Sequence, residues 1–123
     1  MKMQLENTAG AHRITSYGPG YVSVDGERVT CSFILTAEKL ILDWGPHIVA
    51  ELDEAALEAV TGLRPSIILL GTGLEQCFPP PSLLAPVLAQ GIGIEVMTTA
   101  AACRTYNVLV AEGRQVAAGL FVP

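Results

Sequence analysis

Two stretches of this 123-residue sequence hold residue types and spacings that could do chemistry, Gly71-Thr72-Gly73 and the run from Thr98 to Asn107. The glycine pair follows an apolar segment, Ser66 to Leu70, and open α/β sheets hold ligands beyond the carboxyl ends of their strands. A dinucleotide fingerprint would need Gly or Ala at position 76, where Gln76 stands, and would open directly into a helix, whereas a Pro-rich stretch follows here. There is no G-K-[ST] sequence, which excludes a nucleotide P-loop. The glycines also suit a plain tight turn against a neighbouring helix. In the second stretch, Thr98 or Thr99 can open a helix whose small residues, Ala100 to Ala102, allow close approach to a sheet, while its free N–H groups could hold an anion. Arg104 opposes the helix macrodipole there, so it calls for a partner: Glu75, Glu95, Asp43 or an exogenous anion. Tyr106 and Asn107 read either as ligand contacts or as a buried hydroxyl and a backbone-bonding amide.

Other reactive residues form no constellation. Cys103 sits beside Arg104 near a helix start, which could lower its pKa, but a small buried hydrophobe is the simpler reading, and neither His12 nor His47 is paired with it as a base. Cys31, Cys77 and Cys103 are odd in number and widely spaced, with no C-x-x-C, so neither structural zinc nor a disulfide framework is expected. Glu51, Asp53, Glu54 and Glu58 cluster at a predicted helix start, where carboxylates are favoured anyway. Trp44, before Gly45-Pro46, could anchor an interface or fill a core. No metal and no cofactor is expected.

These residues need elements to hold them. Arg13 to Tyr17, then Tyr21 to Val24 with an Asp25-Gly26 turn and a β-branched continuation from Glu27 to Leu35, read as a hairpin or small sheet. Glu38 to Trp44 makes a further strand. Asp53 is a good N-cap for a helix of about nine residues, with Gly62 as its left-handed stop. Ser66 to Leu70 reads as a strand covered on both faces, and Ser82 can cap a short helix to Gln90 with Pro86 about four residues in. A strand over Gly91 to Met97, a helix through Glu112 stopped by Gly113, and a strand over Gln115 to Val122 complete the order. Strands followed by αβαβαβ predict a single α/β domain over residues 1–123, three-layered, with a central mixed sheet flanked by helices and a small additional β layer from the N-terminal strands.

Composition bounds the function. The net charge is −5, with 15% charged and 50% hydrophobic residues, so neither disorder nor bulk electrostatic binding of nucleic acid is expected. Residues 1–64 carry 14 of the 19 charges and residues 65–123 carry 5; the second half must be buried by its own fold or by a partner. The longest uncharged stretch, Gln76 to Ile94, is broken by Pro79, Pro80, Pro81, Pro86, Gly91 and Gly93, so no membrane span is expected. The first ten residues lack signal- or transit-peptide character, which with the cysteine pattern suggests a cytoplasmic protein.

The runs Gly93 to Thr99, Ala100 to Leu109 and Glu112 to Leu120 resemble a domain-of-unknown-function family of bacteria, archaea and mitochondria. Its members include a mitochondrial respiratory complex I assembly factor and a human protein linked to adipogenesis. The most specific motifs are Arg104-Thr105-Tyr106-Asn107 and Glu112-Gly113-Arg114, and the likeness extends through Ser32 to Leu35, the Trp44 region and Ile68 to Gly73. The resemblance implies the same three-layer fold and a non-catalytic assembly role through protein partners, with a homodimer as a corollary of the apolar surface. The competing reading is a small-molecule or anion binder, an enzyme included, that uses Gly71, Thr72, Gly73, Thr99 and Arg104.

Overall fold

A computed structural model describes residues 10–123; the first nine, on which the leader-peptide reading rested, lie outside the described residues. Eight strands and three α-helices follow one another: β1 (Ile14–Gly18), β2 (Tyr21–Val24), β3 (Glu27–Val29), β4 (Phe33–Thr36), β5 (Leu40–Leu42), α1 (Glu54–Thr61), β6 (Ile67–Thr72), α2 (Pro81–Ala89), β7 (Gly93–Met97), α3 (Thr99–Ala111) and β8 (Val116–Phe121), with a 3₁₀ turn at Val49–Glu51. A five-stranded mixed sheet runs β5-β4-β8-β6-β7, and β1-β2-β3 form a separate antiparallel sheet. Strand β6 is parallel to both β7 and β8, as crossover helices require, and β4 is antiparallel to β8 and β5.

The large sheet is apolar on both faces because successive side chains alternate. Ile34, Ile68, Leu70, Ala117 and Phe121 face α1, α2 and Trp44. Phe33, Leu35, Leu69, Ala118 and Leu120 face α3 and the small sheet. The three-layer α/β architecture expected from the sequence is therefore the architecture found, with α3 and the small sheet sharing one outer layer.

Several local expectations are corrected. The strand over Glu27 to Leu35 is two strands in two different sheets, broken between Val29 and Phe33, and β4 and β5 join the main sheet rather than the accessory layer. Of Glu38 to Trp44 only Leu40–Leu42 is strand, and Asp43 turns the chain with φ +55°. Asp53 caps α1 as expected, its carboxylate accepting from Ala56 N at 2.8 Å. The left-handed position, however, is not Gly62, which stays right-handed at φ −63°, but Arg64, at φ +57°. Helix α2 starts one residue before Ser82, on Pro81 at the first helical position with Pro80 as its N-cap. Proline is pre-organised for that place and needs no capping side chain. Pro86 then stands six residues in, tolerated because α2 is largely exposed. Strand β7 lies at the edge of the sheet and is half-exposed.

Candidate functional site

The glycine loop and the start of α3 do meet, but mainly to fasten strands. Thr99 is completely buried. Its N–H donates to Gly73 O at 3.0 Å, its hydroxyl donates to Phe121 O, and the same oxygen accepts from Gly73 N at 2.8 Å. One threonine thus joins the carboxyl ends of β6 and β8 to the helix, and its hydrogen-bonding capacity is used internally. Gly71 permits the approach: a Cβ there would lie 3.1 Å from Thr99 Cα and 2.7 Å from Leu120 Cδ2. The Thr72 hydroxyl lies 2.6 Å from Glu75 O and accepts from Cys77 N at 3.2 Å, which shapes the loop after β6. From that loop Gln76 Nε2 reaches Val96 O at 2.9 Å, on edge strand β7.

The Arg104-Thr105-Tyr106-Asn107 motif is likewise a fastener, between α3 and the small sheet. Asn107 pairs with both backbone groups of Ile14, the Tyr106 hydroxyl donates to His12 O at 2.8 Å, and Arg104 donates to the Tyr17 hydroxyl at 2.8 Å. Arg104 is exposed, and its partner is a phenol rather than any of the carboxylates expected for it. Tyr106 is fully buried, and burial together with the nearby Asp25 carboxylate pushes its phenol pKa upward. Burial raises the Cys103 thiol pKa to about 12, against a small opposing pull from Arg104. That thiol is protonated at neutral pH, so it is the buried hydrophobe of the simpler reading and not a nucleophile.

Trp44 is in the core, 8% exposed. Its indole N–H donates to Ala56 O at 2.9 Å, its ring packs 5.3 Å from that of Phe121, and Gly119 lies against its face. Of the residues singled out from sequence, the structure brings together Gly71, Thr72, Gly73 and Thr99 at one sheet end, and Arg104, Tyr106 and Asn107 on the side of α3 facing the small sheet. Trp44 lies on the opposite face of the large sheet. Among the described residues no three His, Cys, Asp or Glu side chains converge as metal ligands would, and no helix is long and apolar enough to cross a membrane.

Two surfaces escaped the sequence reading. Leu74 and Phe78, 78% and 67% exposed, project from the loop beside β7, with Leu88 exposed on α2; the uncharged stretch over 76–94 was the signal for Phe78 and Leu88. A cleft of about 640 Å³ lies at the opposite end of the sheet, between the β4–β5, α1–β6 and α3–β8 connections. Its signal was that Arg64 and Arg114 each precede a strand of the parallel trio.

Comparison with known proteins accords with this structure. An uncharacterised protein of Rhodobacter capsulatus is 37% identical over 91% of this chain and 86% of its own. The NADH dehydrogenase [ubiquinone] 1 alpha subcomplex assembly factor 3 proteins of Xenopus tropicalis and Danio rerio are 32% and 33% identical over 89% and 98% of the chain, which spans 61% and 70% of their length. A crystal structure from Bordetella parapertussis superposes with a TM-score of 0.88 at 35% identity, covering 94% of this chain and 99% of that one. A Bordetella pertussis protein described as an Mth938-like domain superposes with a TM-score of 0.82 at 29% identity, covering 99% and 92%. The model of the DUF498/DUF598 family, proteins of unknown function, matches residues 14–121, and the chain belongs to that family.

Proposed function

We propose that this chain is a non-enzymatic interaction protein that assists the assembly of a protein complex, respiratory or other. The observation that carries this reading is the match to proteins named as complex I assembly factors over 89% and 98% of the chain. The geometry supports it in two ways. Thr99, Tyr106, Asn107 and Trp44 make their polar contacts within the protein, so their contribution is to shape. Meanwhile Leu74, Phe78 and Leu88 give the side of the molecule around edge strand β7 an apolar surface of the kind that marks partner binding. On this reading Thr72 and Gly73 set the base of the contacting loop, and a second copy of the chain is one partner it accepts. Three cysteines outside any disulfide suit the cytoplasm.

The test is native affinity capture from lysate combined with sedimentation, using the wild-type chain and Phe78→Asp. Retained protein or self-association in the wild type, lost in a variant that melts normally, is the expected result. A monomer that retains nothing would sink the reading.

A further inference from the structure

Three of the seven cationic side chains in a protein of net charge −5, Lys39, Arg64 and Arg114, line the 640 Å³ cleft at the sheet end away from the glycine loop. They come from three separate connections: the β4–β5 turn, the link from α1 to β6, and the link from α3 to β8. None makes an ion pair or a side-chain hydrogen bond with another described residue; the ion pair found among those residues joins His12 to Asp25, in the small sheet. Three like charges around one cleft raise a positive potential that favours an anion entering it.

Backbone geometry sharpens the point. Arg64 holds φ +57°, a left-handed conformation that glycine adopts freely and arginine does not. The turn itself therefore needs no guanidinium, and the Arg64 side chain lines the cleft. Arg114 follows Gly113, whose φ of +78° ends α3, and Arg114 N–H is bonded to Leu109 O at 3.0 Å. The Glu112-Gly113-Arg114 motif thus fixes its own backbone while leaving the Arg114 side chain available. Leu63, Pro65, Val110 and Val116 make the apolar part of the lining, Thr36 and Gln115 add polar groups, and Glu38 supplies the one carboxylate.

We propose that this cleft binds a small organic phosphate: a phosphoryl dianion held by Arg64, Arg114 and Lys39, attached to an apolar body that rests on the Leu63–Val116 floor. Guanidinium groups match phosphoryl oxygens bidentately, and a net lining charge of about +2 balances one dianion. The volume lies within the range of small-ligand sites, roughly 300 to 1,000 Å³. The proposal goes beyond the partner-binding reading and does not depend on it, since the cleft lies at the other end of the sheet from Thr72 and Gly73.

The experiment is a ¹H–¹⁵N NMR titration of the full chain with phenyl phosphate, inorganic phosphate and a tetraglutamate peptide. Phenyl phosphate is expected to shift the amides of Lys39, Arg64 and Arg114 saturably with a Kd below about 1 mM, about 10-fold tighter than inorganic phosphate. Arg114→Gln and Arg64→Gly are each expected to weaken it about 10-fold, and Glu38→Gln to tighten it. Arg64→Gly relieves backbone strain, so it keeps the test open should another variant fold poorly. The proposal is overturned by the absence of saturable shifts, by equal affinity for inorganic phosphate, by indifference to both arginine substitutions, or by tetraglutamate binding there more tightly than phenyl phosphate.

Discussion

Asn107 and Ile14, 93 residues apart, are joined by two hydrogen bonds: Asn107 Nδ2 donates to Ile14 O at 2.8 Å, and Ile14 N donates to Asn107 Oδ1 at 3.0 Å. The amide imitates the edge of a β-strand and gives β1 a pairing partner on its far side from β2. One side chain of α3 thereby attaches the small sheet to the body of the protein.

Asn107→Ala leaves the Ile14 donor and acceptor part-buried and unpaired, at about 1–3 kcal/mol. For a domain of this size that is a fall in Tm of several degrees. Amide exchange across residues 14–29 is expected to accelerate more than in β6 or β8. Uniform protection in the variant would show that the small sheet is held by its packing and by the Arg104 and Tyr106 hydrogen bonds, without need of Asn107.

Glycine substitutions separate three kinds of close approach. Gly119→Ala forces a Cβ to 2.7 Å from the rigid Trp44 ring, and Gly71→Ala forces one against the backbone of Thr99 at 3.1 Å. Each is expected to cost about 1–3 kcal/mol, and Gly119→Ala alone to change tryptophan emission. Gly93→Ala, whose nearest neighbour would be 3.8 Å away, serves as the near-neutral control. Chemical denaturation of the three variants checks the order.

Stability is expected to fall at alkaline pH. Cys103 has its pKa raised from 9.0 to about 12 by burial, and that of Tyr106 is raised as well. In both, the folded state favours the protonated form. Each contribution is complete below the group's unfolded pKa; that of Cys103 is lost as pH climbs from about 9 through 12, and that of Tyr106 begins to be lost above 10.0, at roughly 1.4 kcal/mol per pH unit for each group. Cys103→Ala removes one of the two contributions. Melting curves from pH 7 to 11 measure the slope, and an unchanged slope in the variant would refute the assignment.

Thiol labelling distinguishes the cysteines directly. Cys77 is exposed, Cys31 half-buried and Cys103 buried. An aromatic disulfide reagent at pH 8 is expected to modify Cys77 first and Cys103 only upon unfolding, since reactivity follows thiolate fraction and access. Cys77→Ser should abolish the fast phase.

Fold class was legible because its signals are strong and repeated. The all-apolar run from Ile67 to Leu70 and the Asp53 cap are strong local signals, and of the two threonines that could open α3 it is Thr98 that caps it. What was not legible depended on contacts far away in the chain. Nothing between Val29 and Phe33 says that the two strands separate into different sheets, because that is settled by β4 pairing with β8 some 84 residues later. Gly62 carried the local signature of a left-handed stop, yet the chain bends at Arg64, where the basic cleft lies. At the candidate site, the sequence placed Arg104 near a charge but not against Tyr17, since a partner 87 residues away leaves no local pattern. Gly71, Thr99, Tyr106 and Asn107 are held by close approach or by internal hydrogen bonds, and that saturation is visible only in three dimensions.

The central placement of β8 governs the order in which this protein can be made. Strand β4 has no neighbour in the large sheet except β5 until residues 116–121 arrive, and β6 has only β7. Before β8 is delivered, β5-β4 and β6-β7 are therefore two unjoined halves, with the backbone groups of β4 and β6 that β8 will pair still open. Commitment to the large sheet therefore comes late in synthesis, when β8 joins its two halves.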